Sequence, residues 1–355
     1  MRPAVERPND PLSAGGALVD IRDLRLNFNT FDGVSKVLAG VNLTIEHGDV
    51  FGLVGETGCG KTMTALSIPR LIPCPPGQIV GGQVLFEGEN VLAKSEEEMQ
   101  HLRAAKIAMI FQDPTTNLNP VFTIEEQMVD AILCRMGAQW ALGLTPFSRW
   151  QSSAQSVRRE AKDKAIAMLQ RVGIPQAADR IRSYPHEFSG GMKQRVLIAM
   201  AMAGSPHLLI ADEPTTALDV SIQAQILRLM KELVDEYRLT VLLITHNLGV
   251  VAKICNKVAV MYAGRVVESG TIREIFKAPK HPYTVGLLNA IPTRERKRGE
   301  LQGIAGSIPN LLRPPLGCRF HPRCPHAMPQ CMVEPTPAVI PLTRTHEVAC
   351  RLYDP

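Results

Sequence analysis

Val50-Phe51-Gly52-Leu53-Val54-Gly55-Glu56-Thr57-Gly58-Cys59-Gly60-Lys61-Thr62 is the stretch whose reading decides the fold. An apolar run of strand character ends in a turn with glycines at 55, 58 and 60, and Lys61 and Thr62 then open a helical segment. Gly55-x4-Gly60-Lys61-Thr62 fits the phosphate-binding P-loop pattern. Glycines let the backbone wrap close to a polyphosphate, and the free N–H groups at the helix start point at it. Lys61 adds a positive charge near the outer phosphates, and the Thr62 hydroxyl is an Mg²⁺ ligand. The candidate phosphate-binding residues are therefore Gly55, Glu56, Thr57, Gly58, Cys59, Gly60, Lys61 and Thr62, with Cys59 read as a small filler. The plain alternative is a Gly-rich turn. Chance yields this pattern in roughly one random chain of this length in a hundred, and the strand before it and helix after it lower that further.

The 355 residues suffice for two domains, or for one α/β domain with appendages, and 45% hydrophobic content is that of an ordinary core-forming protein. No run of 18 apolar residues occurs, so the sequence predicts no bilayer-spanning helix. Met1 to Gly16 is polar and rich in Pro and Gly without an apolar core, which excludes a secretory signal and predicts a disordered lead-in over residues 1–17. A formal charge of +5 is too mild to imply a nucleic-acid partner.

Leu24-Arg25-Leu26-Asn27-Phe28 alternates like a half-buried strand, and Val37 to Ile45 offers another such stretch. Together they predict a small antiparallel β region ahead of the P-loop, with Phe28 or Phe31 available to stack on an adenine ring or simply to pack. Lys106 to Phe111 is a buried-strand candidate that delivers Gln112 at its tip, where α/β folds place ligand contacts. From Pro120 to Tyr184 strand signals vanish. Ile124–Met136 and Val157–Val172 carry helical periodicity, and 137–155, with Trp140 and Trp150, reads as an irregular insertion; the whole is predicted as an inserted helical subdomain. Ser189-Gly190-Gly191 then precedes an apolar helix, either as an anion-binding helix start or as a plain N-cap.

His207-Leu208-Leu209-Ile210-Ala211 is an apolar strand that ends in Asp212 and Glu213. Two acids on a buried strand end without a metal would cost several kcal/mol. One of them can serve Mg²⁺ and its neighbour can polarise an attacking water. Thr216-Ala217-Leu218-Asp219 turns into an amphipathic helix, and Thr240 to Thr245 is a further buried strand with His246 at its tip. A lone histidine is more often structural. Here it is the third polar group placed at a strand end, after Gln112 and the two acids.

These residues identify the chain, over 18–275, as similar to the nucleotide-binding subunits of ABC transporters. Gly55–Thr62 resembles the Walker A motif, Gln112 the Q-loop, Ser189-Gly190-Gly191-Met192 the signature, Leu208–Asp212 Walker B, Thr216–Asp219 the D-loop and His246 the switch histidine. Phe188-Ser189-Gly190-Gly191-Met192, Phe111-Gln112-Asp113-Pro114, His281-Pro282-Tyr283-Thr284 and the segment from Gly317 to Pro325 resemble the oligopeptide/dipeptide importer branch. The 137–155 stretch departs from that pattern by being longer. The resemblance implies a P-loop NTPase (RecA-like) α/β core with an antiparallel β subdomain, a helical subdomain at about 120–186 and an irregular cysteine-rich extension over 276–355. It also implies the chemistry. Thr62, Gln112 and Asp212 hold Mg²⁺, Glu213 is the catalytic base, and His246 senses the γ-phosphate. Ser189, Gly190, Gly191 and Asp219 serve ATP across a head-to-tail dimer.

The implied partners are a second, often different, ATPase subunit, two membrane permease subunits and an extracytoplasmic binding protein, with this chain peripheral at the cytoplasmic face of the cell membrane. Importers of nickel or other small solutes share the motifs. A soluble non-transport ABC ATPase would commonly carry two cassettes or coiled-coil arms, and a non-hydrolysing module would not need Glu213 and His246.

Four of the eight cysteines, Cys318, Cys324, Cys331 and Cys350, lie in the last 38 residues as C-x5-C-x6-C-x18-C. A short, core-poor segment calls for a staple. Four thiolates suit zinc, with His321, His326 or His346 as further donors, or a [4Fe–4S] cluster, and a site without metal is the third reading. The resemblance points to the [4Fe–4S] cluster.

Overall fold

The protein is described by a computed structural model covering residues 16–136, 147–216, 218–291 and 303–354. Its strands are, in chain order, β1 Ala17–Thr30, β2 Gly33–Glu46, β3 Val50–Val54, β4 Gly77–Phe86, β5 Glu89–Asn90, β6 Ile107–Ile110, β7 Leu208–Asp212, β8 Thr240–Thr245, β9 Lys257–Tyr262, β10 Arg265–Thr271, β11 Ile340–Pro341 and β12 Glu347–Val348. The alternating segments β1 and β2 pair antiparallel and form, with β4 and β5, a four-stranded sheet in the order β2-β1-β4-β5.

The second sheet runs β11-β12-β10-β9-β3-β8-β7-β6. Its stretch from β9 to β6 is entirely parallel. Parallel strands covered on both faces read as continuous apolar runs rather than alternating ones, and β7 and β8 are buried at every residue. Apolar side chains between the two sheets form one core cluster, from Leu18 and Leu26 to Leu53 and Ile244. A second cluster joins the other face of the parallel sheet to the helical region.

That region contains helices Ile124–Arg135, Phe147–Arg171, Ala177–Arg180 and Gly190–Met202. The first is started by a capping box in which Thr123 accepts from the Glu126 N–H while Glu126 accepts from that of Thr123. The second begins at Phe147, ten residues before the periodicity that announced it at Val157. Phe147 and Trp150 stand three apart at helical spacing, but they are the only large apolar residues of this helix before Val157, too few to announce a period by themselves. The rest of the expected insertion, residues 137–146 with Trp140, lies outside the described residues, as do residues 1–15 of the lead-in expected at 1–17, whose last residue, Ala17, belongs to β1.

Past residue 276 the sequence predicted little regular structure, and here the structure differs. Helix Pro282–Asn289 starts at His281, whose Nδ1 accepts from the Tyr283 N–H at 3.0 Å. The strands β11 and β12 extend the main sheet from its β10 edge. Elements two residues long carry no period, and histidine is outside the usual N-cap set. The tail is also tied down by its backbone: the Lys36 N–H donates to Leu311 O at 2.9 Å and the Ala349 N–H to Val267 O at 2.9 Å. Phe320 packs with Val54, Tyr262 and Tyr283 in a third core cluster shared between the tail and the strand that feeds the P-loop. Among the described residues no helix is long and apolar enough to cross a membrane.

Candidate nucleotide site

The P-loop leaves the C-terminal end of β3, an interior strand of the parallel sheet between β9 and β8. Gly55 sits at φ +154°, and a Cβ there would come within 2.2 Å of the Met261 carbonyl oxygen, so only glycine fits this approach to β9. Gly60, at φ +103°, turns the chain into helix Lys61–Ser67. The Lys61 side chain is buried, and its ammonium donates to the carbonyls of Gly55 at 2.8 Å and Glu56 at 3.0 Å. The lysine thus closes the loop on itself and holds one cation at its centre. Cys59 is fully buried and burial pushes its thiol up, as befits a filler rather than a nucleophile. Glu56 is engaged away from the loop interior. Its carboxylate pairs with Arg323 at 2.8 Å, and its N–H donates to the Tyr283 hydroxyl at 2.9 Å.

The strand tips next to the loop bring the other predicted residues together. Glu213 follows β7 in a left-handed conformation, φ +46°, with its N–H donating to Ile244 O at the end of β8. Its carboxylate accepts from Gln112 Nε2 at 3.2 Å and from the Thr216 hydroxyl at 2.8 Å, and lies 3.0 Å from His246 Nδ1. Burial pushes this carboxyl up, but the hydrogen bonds from His246 and Thr216 outweigh it and hold Glu213 below the usual carboxylate range. Burial acts the other way on its neighbour. It raises Asp212 above its ordinary value, against the opposing hydrogen bond from Thr62. Adjacent acids with separated acidities take different roles. Glu213 is an ionised carboxylate held by three partners, and Asp212 is a buried acid whose charge a cation beside Thr62 would stabilise. The donor set of Thr62, Asp212 and Gln112 therefore fits Mg²⁺, a hard cation that takes one or two carboxylates and hydroxyl oxygens. The role of Thr216 as third holder of the base was missed, because a threonine in a turn carries no distinguishing pattern.

The signature residues stand elsewhere. Ser189 is the N-cap of helix Gly190–Met202, accepting from the Met192 N–H at 3.3 Å, and Ser189 and Gly190 are exposed. A Cβ on Gly191 would meet Ile222 at 2.7 Å, so the glycine also serves packing. Among the described residues no hydrogen bond or ion pair links Ser189, Gly190 or Gly191 to the P-loop. Asp219 caps helix Val220–Tyr237 by position only, with no side-chain cap bond, and Ala217 before it lies outside the described residues. Of the two aromatic candidates, Phe28 is half-buried against the core of the small sheet, whereas Phe31 is fully exposed beside the turn between β1 and β2.

Cys318, Cys324, Cys331 and Cys350 are free thiols near enough to interact with one another, and the Cys318 N–H donates to Cys331 O at 2.9 Å. Burial, with the neighbouring thiols adding to it, raises Cys318 and Cys324 and pushes Cys350 up to about 11. The metal expectation is not supported: among the described residues no group of three or more His, Cys, Asp or Glu is placed to hold a metal ion. Two of the three candidate histidines have other partners, His321 Nδ1 at 2.9 Å from Cys318 O and His346 Nε2 at 2.8 Å from Glu268.

Residues 38–216 match the ABC transporter family, and residues 267–331 match the oligopeptide/dipeptide transporter C-terminal region. A probable peptide ABC transporter ATP-binding protein of Sinorhizobium fredii is 47% identical over 94% of each chain. The oligopeptide transport ATP-binding protein OppD of Salmonella typhimurium is 46% identical over 88% of each. The dipeptide transport ATP-binding protein DppD of Bacillus subtilis is 42% identical over 95% of each. In fold, the chain is similar to a dimeric bacterial ABC transporter cassette, with a TM-score of 0.59 at 24% identity over 72% of this chain and 99% of that one. The chain belongs to the ABC transporter family, on its oligopeptide/dipeptide branch, and its strand-tip constellation is that of an ATP-hydrolysing subunit.

Proposed function

We propose that this chain powers the import of peptides by supplying one half of a composite ATP site, at the cytoplasmic face of the membrane, to partner permease subunits. The observation that carries the reading is the division of the motifs. Glu213, held by Gln112, Thr216 and His246, faces the P-loop side, while Ser189, Gly190 and Gly191 present an exposed helix start with no bond to that loop. A signature that does not serve its own P-loop is available to a second ATPase subunit, the same or different, whose signature in turn would close this one. The named relatives serve oligopeptide and dipeptide transport, which supports peptides over nickel or other solutes as cargo.

In this scheme Lys61 neutralises phosphate charge once a nucleotide displaces it from the Gly55 and Glu56 carbonyls. Thr62, Asp212 and Gln112 hold Mg²⁺, which supplies charge neutralisation at the outer phosphates. Glu213 accepts a proton from the attacking water, and His246 orients the γ-phosphate from the neighbouring tip. Ser189 and Gly191, with Asp219 behind them, meet the partner's ATP. The exposed Phe31 suits an adenine ring better than Phe28 does. Phe111, Val121, Phe122 and Tyr184, exposed beside Gln112 and the helical region, offer the permease an apolar contact linked by chain to the Mg²⁺ ligand. The corresponding division of the chain is a lead-in at 1–17, an ATPase domain at 18–275 with its helical subdomain at about 120–186, and an extension at 276–355.

The test is Glu213→Gln in the assembled transporter, which should bind ATP normally and stop turning it over; hydrolysis near the wild-type rate would overturn the assignment. The cysteine site enters as a finer proposal, a structural [4Fe–4S] cluster, supported by four mutually close thiols on one short segment and opposed by their present placement. Iron and acid-labile sulfide in anaerobically purified protein decide it, and metal-free protein, or protein with stoichiometric zinc, ends it.

A further inference from the structure

The P-loop does not stand on the ATPase core alone. Arg323, on the extension between Cys318 and Cys324, sends both guanidinium nitrogens to Glu56, Nη1 to Oε2 at 2.8 Å and Nη2 to Oε1 at 3.0 Å. Its side chain is 6% exposed and that of Glu56 28%. The same guanidinium donates from Nε to Ala305 O at 2.8 Å and lies 5.7 Å from the centre of the Tyr262 ring. From the other side the Tyr283 hydroxyl accepts the Glu56 N–H at 2.9 Å. Tyr262, Tyr283 and Phe320 pack edge to face or tilted at 4.6 to 5.4 Å, which fixes where both polar groups sit.

Glu56 is the first residue after Gly55 in a loop whose task is to receive several negative charges. A carboxylate there repels a triphosphate unless it is neutralised and pinned. A bidentate arginine does both, since its planar fork fixes the carboxylate's orientation as well as its charge. We propose that Arg323, with Tyr283, is a positioning residue for ATP binding: the C-terminal extension holds the P-loop in its receptive shape through Glu56 and screens that carboxylate from the incoming phosphates. Displacement of the Cys318–Cys324 corner is thereby transmitted to nucleotide affinity.

Arg323→Gln leaves the Glu56 charge in place and unpartnered, which should raise the KM for ATP about tenfold in the assembled transporter while kcat changes by less than about twofold. Adding Glu56→Gln removes the stray charge, and the double variant should return to within about threefold of the wild-type KM, a strongly non-additive cycle. Arg323→Lys, which keeps the charge without the fork, should fall between. If Arg323→Gln does not fold, Tyr283→Phe removes a single acceptor and should still raise KM by about threefold. A folded Arg323→Gln protein with wild-type KM, an additive double variant, or a loss confined to yield and melting temperature would overturn the proposal and leave the pair a structural tie.

Discussion

The strand-tip site and the C-terminal extension are built on opposite plans. At the site, Gln112, Glu213 and His246 each follow a strand of the parallel sheet, and the rigid ladder sets their spacing. Three partners hold one carboxylate, and no residue outside the core is needed to place it. The extension has two strands of two residues each and must take its position from contacts with the core: Arg323 on Glu56, Arg319 on the carbonyls of Lys36 and Ala263, and Phe320 between Tyr262 and His281. A sheet converts sequence order directly into geometry. A segment with only two short strands at the sheet edge depends in addition on a few buried polar groups, and those are sensitive to charge and pH in a way the ladder is not.

The largest effect separating the two plans belongs to Glu213. Glutamine at this position keeps the hydrogen-bond frame but accepts no proton, and under the proposed role of Glu213 as general base its loss costs about 10²–10⁴ in rate. Glu213→Gln should therefore depress turnover by about that factor while its melting curve stays within about 0.5 kcal/mol of the wild type. A large stability loss would mean that the strand tips hold the fold as well as the chemistry.

His281 should show the reverse pattern. It is 1% exposed, its backbone N–H donates to Glu268 at 2.9 Å, and its ring Nδ1 accepts from the Tyr283 N–H, which requires that nitrogen to be unprotonated, so the ring is neutral. Burial lowers it to about 3. A histidine that stays neutral when folded and titrates near 6.5 when unfolded contributes stability that is present above that value and lost as pH falls toward 3. The loss between pH 7 and pH 5 comes to about 2 kcal/mol. His281→Asn keeps a cap acceptor and should flatten that limb in denaturant melts, with ATP turnover kept at pH 7. An unchanged acid limb would place the sensitivity elsewhere.

What the sequence disclosed follows the same divide. Gly55–Thr62, Asp212, Glu213 and His246 were legible because a continuous apolar run announces a buried parallel strand, and polar residues at its end have few reasons to be there. The start of the helix at Phe147 was not, since its first two turns carry only Phe147 and Trp150 as large apolar residues among polar ones. Nor were the Thr216 hydroxyl on Glu213 or the Arg323 fork on Glu56, 267 positions apart along the chain. Partners brought together by tertiary packing leave no spacing to read. The cysteine spacing was legible in the opposite sense: it announced a metal, whereas among the described residues the structure shows four neighbouring free thiols, two buried and two partly buried, and no group placed to hold a metal ion.

The smallest effect tests the outermost tie between the two regions. Glu274 starts helix Ile272–Lys277 in a capping box with Thr271, and the same carboxylate accepts from the hydroxyls of Thr343 at 2.8 Å and Thr345 at 3.0 Å, on the loop between β11 and β12. Partial burial raises this carboxyl, but hydrogen bonds from Thr271, Thr343 and Thr345 outweigh it and bring it down to about 2. A depressed carboxylate contributes stability that is present above its unfolded value of 4.5 and is lost as pH falls toward 2. Because the group is only partly buried, the shift is worth about 1 kcal/mol after screening. Glu274→Gln should lower stability by that amount at pH 7, and the gap between variant and wild type should close as the pH falls from 4.5 toward 2. Hydrogen exchange at residues 342–346 reads the same tie locally and should quicken in the variant at neutral pH. A gap independent of pH would mean that the carboxylate acts here by shape, through its acceptor geometry, and that the charge-dependent character of the extension ends at Arg323.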